Sequence, residues 1–102
     1  MRFGLKESTI EGVNSVLAKF PEVEEAVLYG SRAKEDFKPG SDIDLTFKGT
    51  GLDWKIVGDI QFEIDDLLLP YMFDISIYTQ IDNPDLIGHI DRVGQIFYKK
   101  GF

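Results

Sequence analysis

Leu52, Ile56, Ile60, Ile64 and Leu68 recur every fourth residue between two runs of strict alternation, Asp42–Lys48 and Phe73–Tyr78. A four-residue apolar step marks one stripe of a helix, whereas alternation puts the apolar side chains of a strand on one side. Ile43, Leu45 and Phe47 therefore face one way and Asp42, Asp44 and Thr46 the other. Likewise Phe73, Ile75 and Ile77 oppose Asp74, Ser76 and Tyr78. Two strands joined by a long helix that ends before Pro70 are most simply parallel neighbours in one sheet.

The flanks extend this pattern. Ile10, Val13, Leu17 and Phe20 share one face of a helix over Ser8–Phe20, with Ser8 and Glu11 spaced as a capping box and Pro21 as its stop. Val23–Tyr29 reads as a strand punctuated by Gly30 and Ser31. Residues 30–41 are polar and rich in turn formers, including Pro39, Gly40 and Ser41, and a short helical turn is expected to start at Ser31. That connection is too brief for a crossover helix, so the strands on either side of it are expected to run antiparallel. A last helix over Pro84–Val93 turns Leu86, Ile87, Ile90 and Val93 inward, with Gly94 as a left-handed C-cap and Ile96–Tyr98 as a short final strand. The expected fold is α/β (α+β), a mixed sheet flanked by helices in the order α-β-(short α)-β-α-β-α-(β).

At 102 residues, 43% of them hydrophobic, the chain is sized for a single domain, 1–102, with its own core. Eighteen acidic residues against eleven basic ones leave a net charge of -7, which argues against direct nucleic-acid binding. The absence of cysteine excludes disulfides, zinc–thiolate centres and thiol nucleophiles and suits a reducing, cytoplasmic setting. One histidine is too few for a histidine-rich metal site, and a serine–histidine–aspartate triad is not expected. No apolar run approaches the roughly 20 residues that span a bilayer, and no signal peptide opens the chain, so no membrane association is expected. The chemistry left to such a chain uses carboxylates.

Asp42 and Asp44, two apart on one strand, project from the same face about 7 Å apart at the backbone. Adjacent carboxylates repel, and a divalent cation with a taste for hard oxygen ligands, such as Mg²⁺, relieves the repulsion. Asp74 has the matching parity on the next strand, so parallel pairing would bring three carboxylates to one face. A solvated acidic face is the plain alternative. Gly30 allows close backbone approach, and Ser31 at the start of a turn offers a hydroxyl and free amides for a phosphate, with Arg32 and Lys34 as countercharge. A simple turn is the alternative there. His89 reads as an exposed or capping residue of the last helix, and Trp54 as core or interface.

Gly30-Ser31, ten intervening residues and then Asp42-Ile43-Asp44, within the segment YGSRAKEDFKPGSDIDL, resembles the signature of the minimal nucleotidyltransferases of the DNA polymerase β superfamily. Phe73-Asp74-Ile75 stands where that family carries its third carboxylate. The resemblance implies that Gly30, Ser31, Arg32 and Lys34 bind the nucleotide. It also implies that Asp42, Asp44 and Asp74 are catalytic and hold two Mg²⁺ ions, with ATP or another nucleoside triphosphate as substrate. Attack on the α-phosphate would release pyrophosphate. The resemblance further implies a small all-helical HEPN-type partner, paired as toxin to this chain's antitoxin, and transfer of AMP to a tyrosine of that partner. Two other readings stay open: neutralisation by docking alone, and transfer to a small molecule such as an aminoglycoside.

Overall fold

Four strands form one sheet in the computed structural model, which describes residues 2–38 and 40–101. Pro39, among the turn formers noted above, lies outside the described residues. In chain order the elements are α1 (Glu7–Leu17), β1 (Glu25–Tyr29), β2 (Ile43–Lys48), α2 (Trp54–Asp65), β3 (Phe73–Ile77), a 3₁₀ turn (Tyr78–Gln80), α3 (Pro84–Val93) and β4 (Gln95–Lys99). The sheet order is β3-β2-β1-β4. β2 and β3 are parallel, and β1 pairs antiparallel with β2 and with β4, so the sheet is mixed as expected.

The two strand parities feed two layers. Ala26 and Leu28 of β1 and Ile43, Leu45 and Phe47 of β2 are fully buried against α1 and α2, whose Ile10, Val13, Leu17, Ile60 and Ile64 complete the main core. On the other side, Val27 and Tyr29 of β1 pack against Ile90 of α3. α3 thus covers β1, while Asp44 on β2 is half-buried and Asp74 on β3 is exposed on that same side.

Several local expectations are corrected. α1 starts at Glu7 with Lys6 as its N-cap and no side-chain cap, because a lysine ammonium carries no acceptor; the Lys6 carbonyl accepts from the Thr9 and Ile10 amides. Ser8 therefore lies inside the first turn and the capping box does not form. Residues 31–35 make hydrogen-bonded turns rather than a helix, ending at Glu35 with φ 62. α2 stops at Asp65, so Leu68 leaves the apolar stripe, 88% exposed at φ 55. Trp54 is not core: its ring is exposed and its indole N–H donates to Gln80 Oε1 at 2.7 Å. Gly94 is extended (φ -59, ψ 141) instead of left-handed. It is required there for space, since a Cβ would stand 2.5 Å from the Ile90 carbonyl oxygen and 2.6 Å from Val27 Cγ1.

Candidate active site

Strand register aligns the chemistry in a row across the sheet. Tyr29 pairs with Asp44, and Asp44 pairs with Asp74. Paired residues on neighbouring strands stand about 5 Å apart at the backbone and share a face. Asp42, exposed, precedes β2 with the parity of Asp44. The sequence expectation that parallel pairing brings Asp74 to the Asp42–Asp44 face thus holds at the level of the backbone. Among the described residues, no three acidic or histidine side chains converge tightly enough to form a ready metal centre.

The electrostatics follow from this crowding. Burial, then the charges of Asp74 and Asp42, raise the Asp44 carboxyl above its ordinary value. Burial chiefly, with the Asp74 and Asp44 charges, also raises the Tyr29 phenol, against a lowering from the nearby Ser76 hydroxyl. Ser76 Oγ is buried without a hydrogen bond among the described residues. The donor set is all hard oxygen on one face, no ion pair among the described residues engages these three aspartates, and Gly30 leaves room beside Asp44. These features fit Mg²⁺, which would invert the local repulsion.

The raised Asp44 carboxyl makes a stability prediction. The folded state holds this proton to higher pH than the unfolded chain, so stability falls as pH rises through the interval above the ordinary carboxylate range. Asp44→Asn removes that penalty while keeping the shape. Its Tm at pH 7 without divalent metal is expected to exceed wild type by about 3 °C. The gain should fade below about pH 3, where Asp44 is protonated in both states. Thermal scans across pH check this.

Gly30 carries two constraints at once. Its φ of 78 turns the chain out of β1, and a Cβ there would overlap Asp44 Oδ2. Gly30→Ala is therefore expected to cost about 2 kcal/mol of stability and to displace the Asp44 carboxylate. Urea unfolding, and the loss of any Mg²⁺-induced rise in Tm, are the measurements. The Gly30 carbonyl accepts from the Lys34 amide at 3.3 Å, and the Ser31 carbonyl from Asp36 at 3.1 Å, which fold the following turn back on the site. Ser31 itself is partly exposed beside that turn.

Arg32 departs from its expected place. Only 2% exposed, it donates from Nε and Nη2 to the Ser41 carbonyl at 3.1 and 2.9 Å and from Nη1 to the Phe3 carbonyl at 2.8 Å. Its guanidinium lies 5.0 Å from the ring centroids of both Phe37 and Tyr71. All three nitrogens are thus turned inward, tying the N-terminal segment to both ends of the 31–41 connection, and none is free as countercharge at the surface. Lys34 remains exposed, near Asp36 at 3.8 Å. His89, expected as an exposed or capping residue of the last helix, is instead partly buried against the site: its Nε2 accepts from the Gly30 amide at 3.1 Å. No local signal marks a contact between residues 59 positions apart. Tyr29, by contrast, could have been found from its position directly before Gly30.

Residues 11–101 match the family described as polymerase beta, nucleotidyltransferase. The chain belongs to this family. No curated protein matches it significantly in sequence. The nucleotidyltransferase fold recurs in solved structures. One, a toxin-antitoxin with AMP-PNP, is 18% identical with a TM-score of 0.70, over 94% of this chain and 75% of that one. The toxin-antitoxin MntA-HepT is 14% identical with a TM-score of 0.68, over 93% and 74%. A candidate nucleotidyltransferase from Sulfolobus solfataricus is 28% identical with a TM-score of 0.50, over 94% and 89%. For this nucleotidyltransferase domain, no described helix is long and apolar enough to cross a membrane.

Proposed function

We propose that this nucleotidyltransferase is Mg²⁺-dependent, that it moves AMP from ATP to a hydroxyl of a partner protein, and that it acts as a cytoplasmic antitoxin against a small helical HEPN-type toxin. The observation that carries the reading is the registered pair Asp44 and Asp74, with Asp42 on the same face, beside Gly30 and Ser31. It is supported by the family match and by the toxin-antitoxin structures that share the fold, one with AMP-PNP and one a variant in which two aspartates two positions apart are replaced by glutamate.

In this reading Ser31 donates its hydroxyl to a phosphate oxygen, and Gly30, lacking a side chain, lets the phosphates approach. Lys34 adds positive charge from the exposed turn, while Arg32 holds the loop in shape from inside. Asp42, Asp44 and Asp74 would hold two Mg²⁺ ions, which when bound would supply positive charge to the entering and leaving oxygens of an in-line displacement. The acceptor oxygen bonds to the α-phosphorus, the bond from that phosphorus to pyrophosphate breaks, and Asp74 receives the hydroxyl proton. Asp42 and Asp74 are exposed, which leaves the face open to an acceptor carried by a second protein.

Neutralisation in cells tests the reading. Wild type is expected to suppress the partner's toxicity, whereas Asp42→Ala with Asp44→Ala should bind the partner without suppressing it. Suppression by that double variant would establish docking as the mode of action. Modification of a small hydroxyl compound with no partner present would establish the small-molecule reading instead.

A further inference from the structure

β1 ends at Tyr29, so the Gly30 amide lies just beyond the strand, and the positive φ of Gly30 turns the chain that follows away from it. That amide is satisfied from the opposite layer, by His89 Nε2 on α3. Accepting through Nε2 requires that nitrogen to be unprotonated, so in this arrangement the imidazole is neutral and carries its proton on Nδ1. The ring has little freedom to leave. Ile90, the next residue, is buried with Val27 and Tyr29, and the Tyr29 ring meets the imidazole edge-on at 6.3 Å.

We propose that His89 is a positioning residue of the nucleotide site: it holds the Gly30 peptide in the orientation that presents Ser31 to the phosphates. The idea rests on the nucleotidyltransferase reading above and adds an element that the Gly-Ser motif does not contain. Two consequences follow from the geometry. The Gly30 N–H is already committed to the imidazole, so the phosphate contacts of this loop fall to Ser31 rather than to Gly30. The same bond ties α3 to the loop, so a partner or ligand that shifts α3 would alter nucleotide affinity.

The test uses the full chain, ¹⁵N-labelled, with His89→Gln, His89→Leu and His89→Ala. Gln keeps an acceptor at about the same reach, and Leu keeps bulk against Tyr29 without one. In wild type the Gly30 amide is expected to be protected from hydrogen exchange. Protection should fall about tenfold in the Leu and Ala proteins and be kept in the Gln protein. In nucleotidyl transfer with Mg²⁺-ATP, KM for ATP should rise about tenfold in the Leu protein with kcat changed less than about threefold, and Gln should restore KM. If Ala does not fold, Leu against Gln still decides. Unchanged Gly30 protection in the Leu protein would overturn the proposal, as would a fall in kcat with KM unaffected. Should wild type transfer no nucleotide at all, the functional reading falls, and the exchange measurement still decides whether His89 positions Gly30.

Discussion

Arg32→Ala is expected to lower the unfolding free energy by about 3–4 kcal/mol, a loss comparable to emptying a position in the apolar core. The guanidinium makes three hydrogen bonds to two main-chain carbonyls, of Ser41 and Phe3. Truncation leaves both without this donor, each at a cost of about 1–3 kcal/mol. It also opens the slot between Phe37 and Tyr71 and forfeits two cation–π contacts of about 1 kcal/mol each. Removing a buried charge recovers part of that sum through lost desolvation cost, which is why the expected total stays near 3–4 kcal/mol. Arg32→Lys should recover about half, because an ammonium reaches one carbonyl but cannot fork to both or stack between two rings. Urea unfolding with an unchanged m-value measures both. Ser41 directly precedes Asp42, so the same variants should also weaken nucleotide binding without touching any phosphate.

The largest functional effect is expected from Asp42→Ala combined with Asp44→Ala. If Asp42, Asp44 and Asp74 hold the metal as proposed, removing two of the three forfeits the several kcal/mol that a metal clamp would supply, so transfer should fall by at least about 10³-fold. The fold should survive, since Asp42 is exposed and the carboxylate of the half-buried Asp44 makes no hydrogen bond among those found within the described residues. Relief of carboxylate repulsion should keep the melting temperature at or above that of wild type without metal. Millimolar Mg²⁺ should raise the melting temperature of wild type and leave the double variant unmoved, because only the protein that binds the ion gains stability from it.

What the sequence could and could not reveal divides along a physical line. Period-two alternation from Ile43 to Phe47 and from Phe73 to Ile77 follows from strand geometry. It therefore located the acidic face, and the helical spacing between the runs located their parallel pairing. The spacing of Gly30-Ser31 from Asp42 and Asp44 is likewise local to one connection. Arg32 was misplaced because no property of an arginine in a polar turn tells whether it faces solvent. Its burial depends on Phe3, Phe37 and Tyr71, which come together only in three dimensions. His89 escaped for the same reason, as its role is defined by one amide on a different layer. The place of Gly94 after a helix suggests a C-cap, whereas what requires glycine there is the close approach of the Ile90 carbonyl and of the Val27 side chain on β1. Leu68 continued a four-residue repeat in the sequence, but the helix had already ended at Asp65.

Transfer of AMP to a partner is the centre of this account, and intact-mass spectrometry reads it directly. The protein would be incubated with ATP, Mg²⁺ and a candidate small helical partner protein, with the Asp42→Ala and Asp44→Ala double variant run in parallel. The expected result is a partner heavier by one or more whole AMP units with wild type and unchanged with the double variant. A stable complex whose partner keeps its unmodified mass in both reactions would contradict the account and leave a nucleotidyltransferase fold that neutralises by binding.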